Sequence, residues 1–303
     1  MYQSIASYRR GRYFWVALLV SVICLLAYIV HDPIGSPNGG TWLGYTLGTI
    51  GAVLIIWLML LGVRKRSYSS SLGSVQGWTS AHVYLGTALL LIASLHSGWQ
   101  FGYNIHTLAY VLMVIVILSG FYGLYAYMRY PALMSHNRDG DTLESLLTKV
   151  EKLDKQALSE ATTEELKALI ESAIDGTQLG GNTWQQLRAR DTSTVQIPPL
   201  LNQSLDQDNR DNLVTSPVVA NPEQERVIEC LANRLSMLTG GKEAGAVQNL
   251  LANVAARQTL LRRISRDVQI RALLKIWLYF HVPLSVALLA ALIVHVLVVF
   301  IYW

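Results

Sequence analysis

Four long apolar runs fill the first 130 residues of the chain, and a fifth closes it. Between them lies a polar stretch, residues 132–271. An apolar run of roughly 17 residues or more with few or no charges is long enough to cross the hydrocarbon core of a bilayer as a helix. The runs predict five spans: Phe14–Val30, Trp42–Val63, Trp78–Trp99, His106–Met128 and Leu273–Trp303. Trp42, Trp78, Trp99, Tyr125, Tyr127, Tyr130, Tyr302 and Trp303 stand at the ends of these runs, where aromatic rings favour the headgroup zone. Pro131 follows the fourth run and is expected to stop it, because proline has no N–H with which to continue a helix. The chain therefore reads as an all-α membrane protein in three parts: spans 1–4 in residues 1–131, an insertion in 132–271, and span 5 in 272–303.

The insertion has a different pattern. Thr142–Leu158 and Thr162–Ile174 repeat apolar residues at helical spacing, and the second opens with Thr162-Thr163-Glu164-Glu165, which resembles a capping box. Near residues 175–222 the composition turns to Gly, Asn, Asp, Gln, Ser and Pro, which predicts a flexible loop. Glu223–Leu238 reads as a further helix ended by Gly240-Gly241. From Glu243 onward Val247, Leu250, Val254, Leu261, Ile264 and Val268 recur every three or four residues, so one helix is expected to run on towards span 5. Arg257 and Arg271 would fall on the seam of a coiled coil, which favours a helical hairpin packed on its own domain.

Composition agrees with a membrane protein: 52% of residues are hydrophobic, only 15% are charged, and the mean hydropathy is +0.33. Charge placement says more. Outside 132–271 there are eight basic residues, Arg9, Arg10, Arg12, Arg64, Lys65, Arg66, Arg129 and Lys275, and one acid, Asp32. With five spans and the N-terminus inside, all eight fall on one side. That pattern places the N-terminus and 132–271 in the cytoplasm and the C-terminus outside, as in a bacterial inner membrane. The first span is expected to be an uncleaved anchor, since His31-Asp32-Pro33 offers no small-residue cleavage site. Two cysteines, Cys24 and Cys230, with no CxxC and no CxxCH, exclude an iron–sulfur cluster held by this chain alone and ordinary covalent c-type haem.

The candidate chemistry lies in two histidine pairs. His82 and His96 are fourteen residues apart (96 − 82), and so are His281 and His295 (295 − 281). At about 100° and 1.5 Å per residue, each pair occupies one helix face with its members roughly 21 Å apart. Both helices run in the same direction, so His82 falls level with His281 near the cytoplasmic surface, and His96 with His295 near the outer one. Polar side chains inside a span are costly and are functional candidates by default. Two facing pairs suit two bis-histidine b haems, and two axial imidazoles favour electron transfer over oxygen binding. Unrelated polar packing, a non-haem metal and a proton pathway are the other readings of the same residues. Arg64, Arg66, Arg129 and Lys275 inside, and His31 and His106 outside, are candidate contacts for haem propionates or for a quinone. Gly44, Gly48 and Gly51 in span 2 let a helix backbone or a flat macrocycle approach closely.

The spacing His82-x13-His96 and His281-x13-His295 resembles the haem helices of dihaem membrane b-type cytochromes. It is similar to the cytochrome b of bc complexes and to the ferric reductase-like transmembrane domain. The resemblance implies that His82, His96, His281 and His295 are axial ligands of two haem b groups, and it covers spans 3 and 5. The chain departs from both families: quinone-site motifs of the bc type are not found, a ferric reductase would carry a flavin and nicotinamide domain after the last span where this sequence reaches Trp303, and the insertion matches neither.

The expected function is transmembrane electron transfer, as the cytochrome b subunit of a membrane redox complex. A quinol-linked or metal-reducing membrane oxidoreductase, and a non-redox receptor, scaffold or metal transporter, are the alternatives. No dinucleotide fingerprint appears, so hydride collection is assigned to a redox partner protein on the cytoplasmic or outer side. Membrane lipid is the other expected partner, and nucleic acid is not one.

Overall fold

The computed structural model describes residues 8–33, 35–67, 73–188, 194–198, 201 and 222–301. Among these, all regular structure is helical. After a 3-10 turn at Tyr8–Gly11 come α1 (Arg12–Val30), α2 (Trp42–Arg66), α3 (Val75–Ser97) and α4 (Ile105–Arg138). These are followed by α5 (Leu143–Glu160), α6 (Glu164–Asp175), α7 (Thr183–Arg188), α8 (Pro222–Met237) and α9 (Lys242–Ile301). Five helices, α1 to α4 and α9, are long and apolar enough to cross a membrane. The protein is an all-α membrane protein.

The chain divides into two compact units. The first comprises residues up to Ala126 together with Ile276 onward, and the second Tyr127–Lys275. In the first unit α3 packs closely on both α1 and α2. Cys24, Leu43, Leu47, Ile92 and Leu95 fill the space between these three helices. A second cluster, Ile55, Leu58, Leu89, Met113 and Leu288, joins α2, α3, α4 and α9. The helix starts are set by capping side chains: Thr41 Oγ1 accepts from Gly44 N–H (3.0 Å) and Ser74 Oγ from Gly77 N–H (3.1 Å). Each cap satisfies a donor that would otherwise be unpaired at the end of a span.

One expectation is corrected. Pro131 does not stop the fourth helix; α4 continues through it to Arg138. The proline withholds one hydrogen bond, at a cost of about 3 kcal/mol, but the residues after it are held elsewhere in their own unit. Asn137 donates to the Arg263 carbonyl (2.7 Å), and Arg138 grips Asp267 with Nε (2.7 Å) and Nη2 (2.8 Å). The helix ends where Asp139 (φ 55°) and Gly140 (φ 82°) turn left-handed.

The second unit buries the apolar faces that the insertion displays. Thr142 and Thr163 cap α5 and α6. Leu166, Leu169 and Ile170 of α6, Val227, Cys230 and Leu231 of α8, and Val247, Leu250 and Val254 of α9 form one core. Leu146 and Val150 of α5 meet Leu261 and Ile264 of α9 in another. The loop expected near 175–222 lies largely outside the described residues; within it α7 is described, and Thr194 N–H donates to the Gly176 carbonyl (3.0 Å). α9 runs unbroken for 60 residues.

Arg257 and Arg271 find partners inside the unit. Arg257, only 4% exposed, donates to Asp154, to Gln224 Oε1 (3.2 Å) and to Thr177 Oγ1 (2.8 Å). Asp267, fully buried, takes Arg138 and Arg271 together. Burial of Cys230 pushes its thiol up to about 11, so it stays protonated and inert at neutral pH.

Two outcomes follow. Asp267→Ala strands two arginines and should destabilise the second unit by about 3–5 kcal/mol, read as a lower unfolding temperature in detergent; Lys155→Ala, at a solvent-exposed pair with Glu151, should leave the transition in place. In a Cys24→Ser background, Cys230 should resist maleimide at pH 8 in the native protein and react fully after denaturation. Rapid native labelling would contradict its burial.

Candidate functional site

The four predicted histidines all lie in the first unit, and each makes its hydrogen bond through Nδ1. His82 Nδ1 meets the carbonyl of Leu58 (3.0 Å), and His96 Nδ1 that of Gly44 (2.8 Å). A carbonyl only accepts, so both rings carry their proton on Nδ1 and leave Nε2 bare. Gly44 and Leu58 are themselves fourteen residues apart on α2 (58 − 44). The α2 backbone thus repeats the period of the α3 pair, which it meets antiparallel.

The α9 pair is held by side chains of α4. Ser119 Oγ lies 2.6 Å from His281 Nδ1. The Ser119 hydroxyl proton is directed to the Val116 carbonyl (2.8 Å), so Oγ accepts from His281 Nδ1–H and again leaves Nε2 bare. His295 Nδ1 lies 2.6 Å from His106 Nδ1, with the rings edge to face at 4.5 Å between centroids. One of these nitrogens donates to the other. Among the described residues no hydrogen bond reaches the Nε2 of His82, His96, His281 or His295. Histidines that bind a metal are commonly oriented through their other ring nitrogen, and the same hydrogen-bonding state is compatible with a histidine that binds none.

At one end α3 and α9 bring their histidines together directly. The His96 and His295 rings are 6.0 Å apart between centroids and nearly perpendicular. Halfway between the levels is an apolar layer. Leu89 is seven residues from both His82 and His96, and Leu288 seven from both His281 and His295. They share a cluster with Met113, and Leu89 also lies against Gly51, where a Cβ would come 3.6 Å from its side chain. Lys65 acts electrostatically on both His82 and His281, a positive charge common to that level.

Gly48 and Gly123 each admit a neighbouring aromatic ring by close approach. A Cβ on Gly48 would come 2.7 Å from His96 Cε1 and 2.9 Å from its Nδ1, so the ring fits against α2 only because that position lacks a side chain. At Gly123 a Cβ would overlap the indole of Trp277. That indole donates from Nε1 to the Ser119 carbonyl (2.7 Å) and lies 5.2 Å from the His281 ring.

The other candidates are placed differently. Arg64 donates to the carbonyls of Ser67 (2.8 Å) and Gly73 (2.6 Å), bridging the two ends of the α2–α3 connection. Arg66 is exposed at the end of α2, and Arg129 and Lys275 are exposed in the second unit. His31 packs edge-on against Trp42 at 5.1 Å and lines a small cavity with Gly44 and Leu95. Its Nε2 is buried with no partner among the described residues. His106 joins the site directly. Ser119, Trp277 and the carbonyls of Gly44 and Leu58 were not singled out by sequence. A serine or a backbone carbonyl carries no signal until its neighbour is known, although Ser119 lies thirteen residues from His106 on α4 and so follows nearly the histidine period. Among the described residues no three His, Cys, Asp or Glu gather as a metal-ion site, although the His295 ring meets both His96 and His106.

Gly123→Ala should cost about 1–3 kcal/mol through overpacking against Trp277. Combined with Trp277→Leu, the loss of stability should be smaller than the sum of the two single changes, measured by thermal unfolding. Strict additivity would show that the two side chains do not compete for one space.

Set beside protein-family models, curated proteins and solved structures, the chain finds no match in any of the three.

Proposed function

We propose that the chain is a transmembrane electron conduit, the cytochrome b subunit of a membrane redox complex. In this reading His82 and His281 hold one haem b, and His96 and His295 hold another. The observation that carries it is the common state of the four imidazoles: Nδ1 engaged by a neighbouring helix and Nε2 bare, at two levels of two parallel helices. The residues fit the group. The His96 and His295 ring centroids are 6.0 Å apart, a spacing at which the two side chains would hold one metal-centred group together.

A b haem held by two of these histidines would supply reversible one-electron chemistry at its iron. The chain's own residues do the remaining work. Gly48 admits the His96 ring to its place beside α2. Leu89, Met113 and Leu288 fill the space between the levels with apolar packing and keep water out. Lys65 supplies a positive charge suited to the propionates of the His82/His281 level, and Arg66, Arg129 and Lys275 are further cations for that side. The basic residues put the N-terminus and 132–271 on the cytoplasmic side. The second unit is then the surface for a redox partner protein. His31, with its bare buried nitrogen, is the outer-side candidate for a quinone.

Purified in detergent, the protein should be red and show a reduced-minus-oxidised b-type spectrum with two haems per chain. His82→Ala and His281→Ala should each lose the same haem, and His96→Ala and His295→Ala the other. In sealed liposomes with an electron acceptor inside and dithionite outside, the wild-type protein should pass electrons inward and each single-haem variant should fail. A colourless preparation, or losses that cross the two groups, would overturn the reading; reduction of the purified protein by a quinol analogue alone would favour the quinol-linked form.

A further inference from the structure

The two ligand helices are held by different chemistry, and the difference has a consequence for how the levels are tuned. On α3 both histidines are held by backbone carbonyls of α2, which substitution leaves in place. On α9 both are held by side chains of α4: the hydroxyl of Ser119 at one level and the imidazole of His106 at the other. α4 is well placed for this task because it is itself pinned at several points. Ser94 Oγ directs its proton to the Leu90 carbonyl (2.7 Å), so it accepts from the Tyr110 hydroxyl (2.9 Å), four residues beyond His106. Trp277 Nε1–H ties α9 to the Ser119 carbonyl. At the start of α4, Asn104 Oδ1 accepts from Thr107 N–H (2.9 Å).

We infer that His106 and Ser119 are positioning residues that set the redox potentials of the two levels separately, His106 through His295 and Ser119 through His281. The inference rests on the haem reading of the four histidines. With Nε2 on a metal, Nδ1 of His295 carries the proton and donates to His106 Nδ1. That acceptor draws the proton outward, makes His295 a more basic ligand, and favours the oxidised state of the metal it holds. Ser119, whose own proton is committed to Val116, does the same for His281. Each acceptor therefore lowers the potential of its own level, and neither touches the other. His106 is thereby given a structural task distinct from contact with propionate or quinone.

The test is a potentiometric titration of the purified, haem-loaded full chain at one pH, with low-temperature electron paramagnetic resonance of the oxidised form. The single-haem variants of the preceding section assign each signal to its level. His106→Leu should raise the potential of the His96/His295 level and change its resonance while the other level stays unmoved. Ser119→Ala should do the reverse. His106→Gln, which keeps an acceptor, should return the His96/His295 level towards the wild-type value. If His106→Leu costs the haem outright, its return in His106→Gln is the supporting result. Unchanged potentials and resonances in haem-loaded His106→Leu and Ser119→Ala, or a shift at the wrong level, would overturn the inference and leave the haem reading standing. Wild-type protein without haem would instead defeat that earlier reading, before any variant is made.

Discussion

An imidazole in hydrocarbon has an N–H donor to place. Leaving a polar group unpaired there costs several kcal/mol, and water is not at hand to help. This constraint organises the membrane unit. Each of the four histidines spends Nδ1 on a neighbouring helix, and the neighbours have to be in register for that to happen. Gly44 and Leu58 on α2 repeat the spacing of His96 and His82 on α3. His106 and Ser119 on α4 answer His295 and His281 on α9. Helix association in lipid lacks the hydrophobic drive of association in water, so hydrogen bonds and tight fits such as Trp277 against Gly123 carry more of the specificity.

The second unit solves a different problem. Its helices bury leucines and valines from water, each worth about 1.5–3 kcal/mol. Its polar interior sits where the long helices would otherwise offer an uninterrupted apolar seam. Arg257 among Asp154, Gln224 and Thr177, and Asp267 between Arg138 and Arg271, are buried charges with complete partner sets. Such groups add little net stability over apolar replacements, but losing one partner is expensive. They select one arrangement of α4, α5 and α9 among the several that an apolar pattern alone would accept.

The two units share α4 and α9, and those are the helices in which local rules were overridden. Pro131 by itself reads as a stop. The helix passes it because Asn137 and Arg138 find partners further along the chain, and no local window contains Arg263 or Asp267. The run from Glu243 into the last span was legible because its apolar residues keep helical period throughout. Arg257 looked like a flaw in that pattern and proved to be the centre of a network. Span 2 offered three glycines with no means of ranking them. The fold separates them: Gly44 lends a carbonyl, Gly48 clears space for a ring, and Gly51 faces the leucine layer.

Sequence alone determined what depends on composition and period: five spans, an amphipathic insertion, and two histidine pairs with matched spacing. These are legible because helix geometry converts residue number directly into face and height. Tertiary structure decided what depends on who stands opposite. It showed that all four rings are held through Nδ1, that His106 serves His295, that Ser119 belongs to the site, and that Arg64 is occupied by the α2–α3 connection. A hydrogen-bond partner on another helix has no fixed distance along the chain, so no local pattern announces it before the helices are packed.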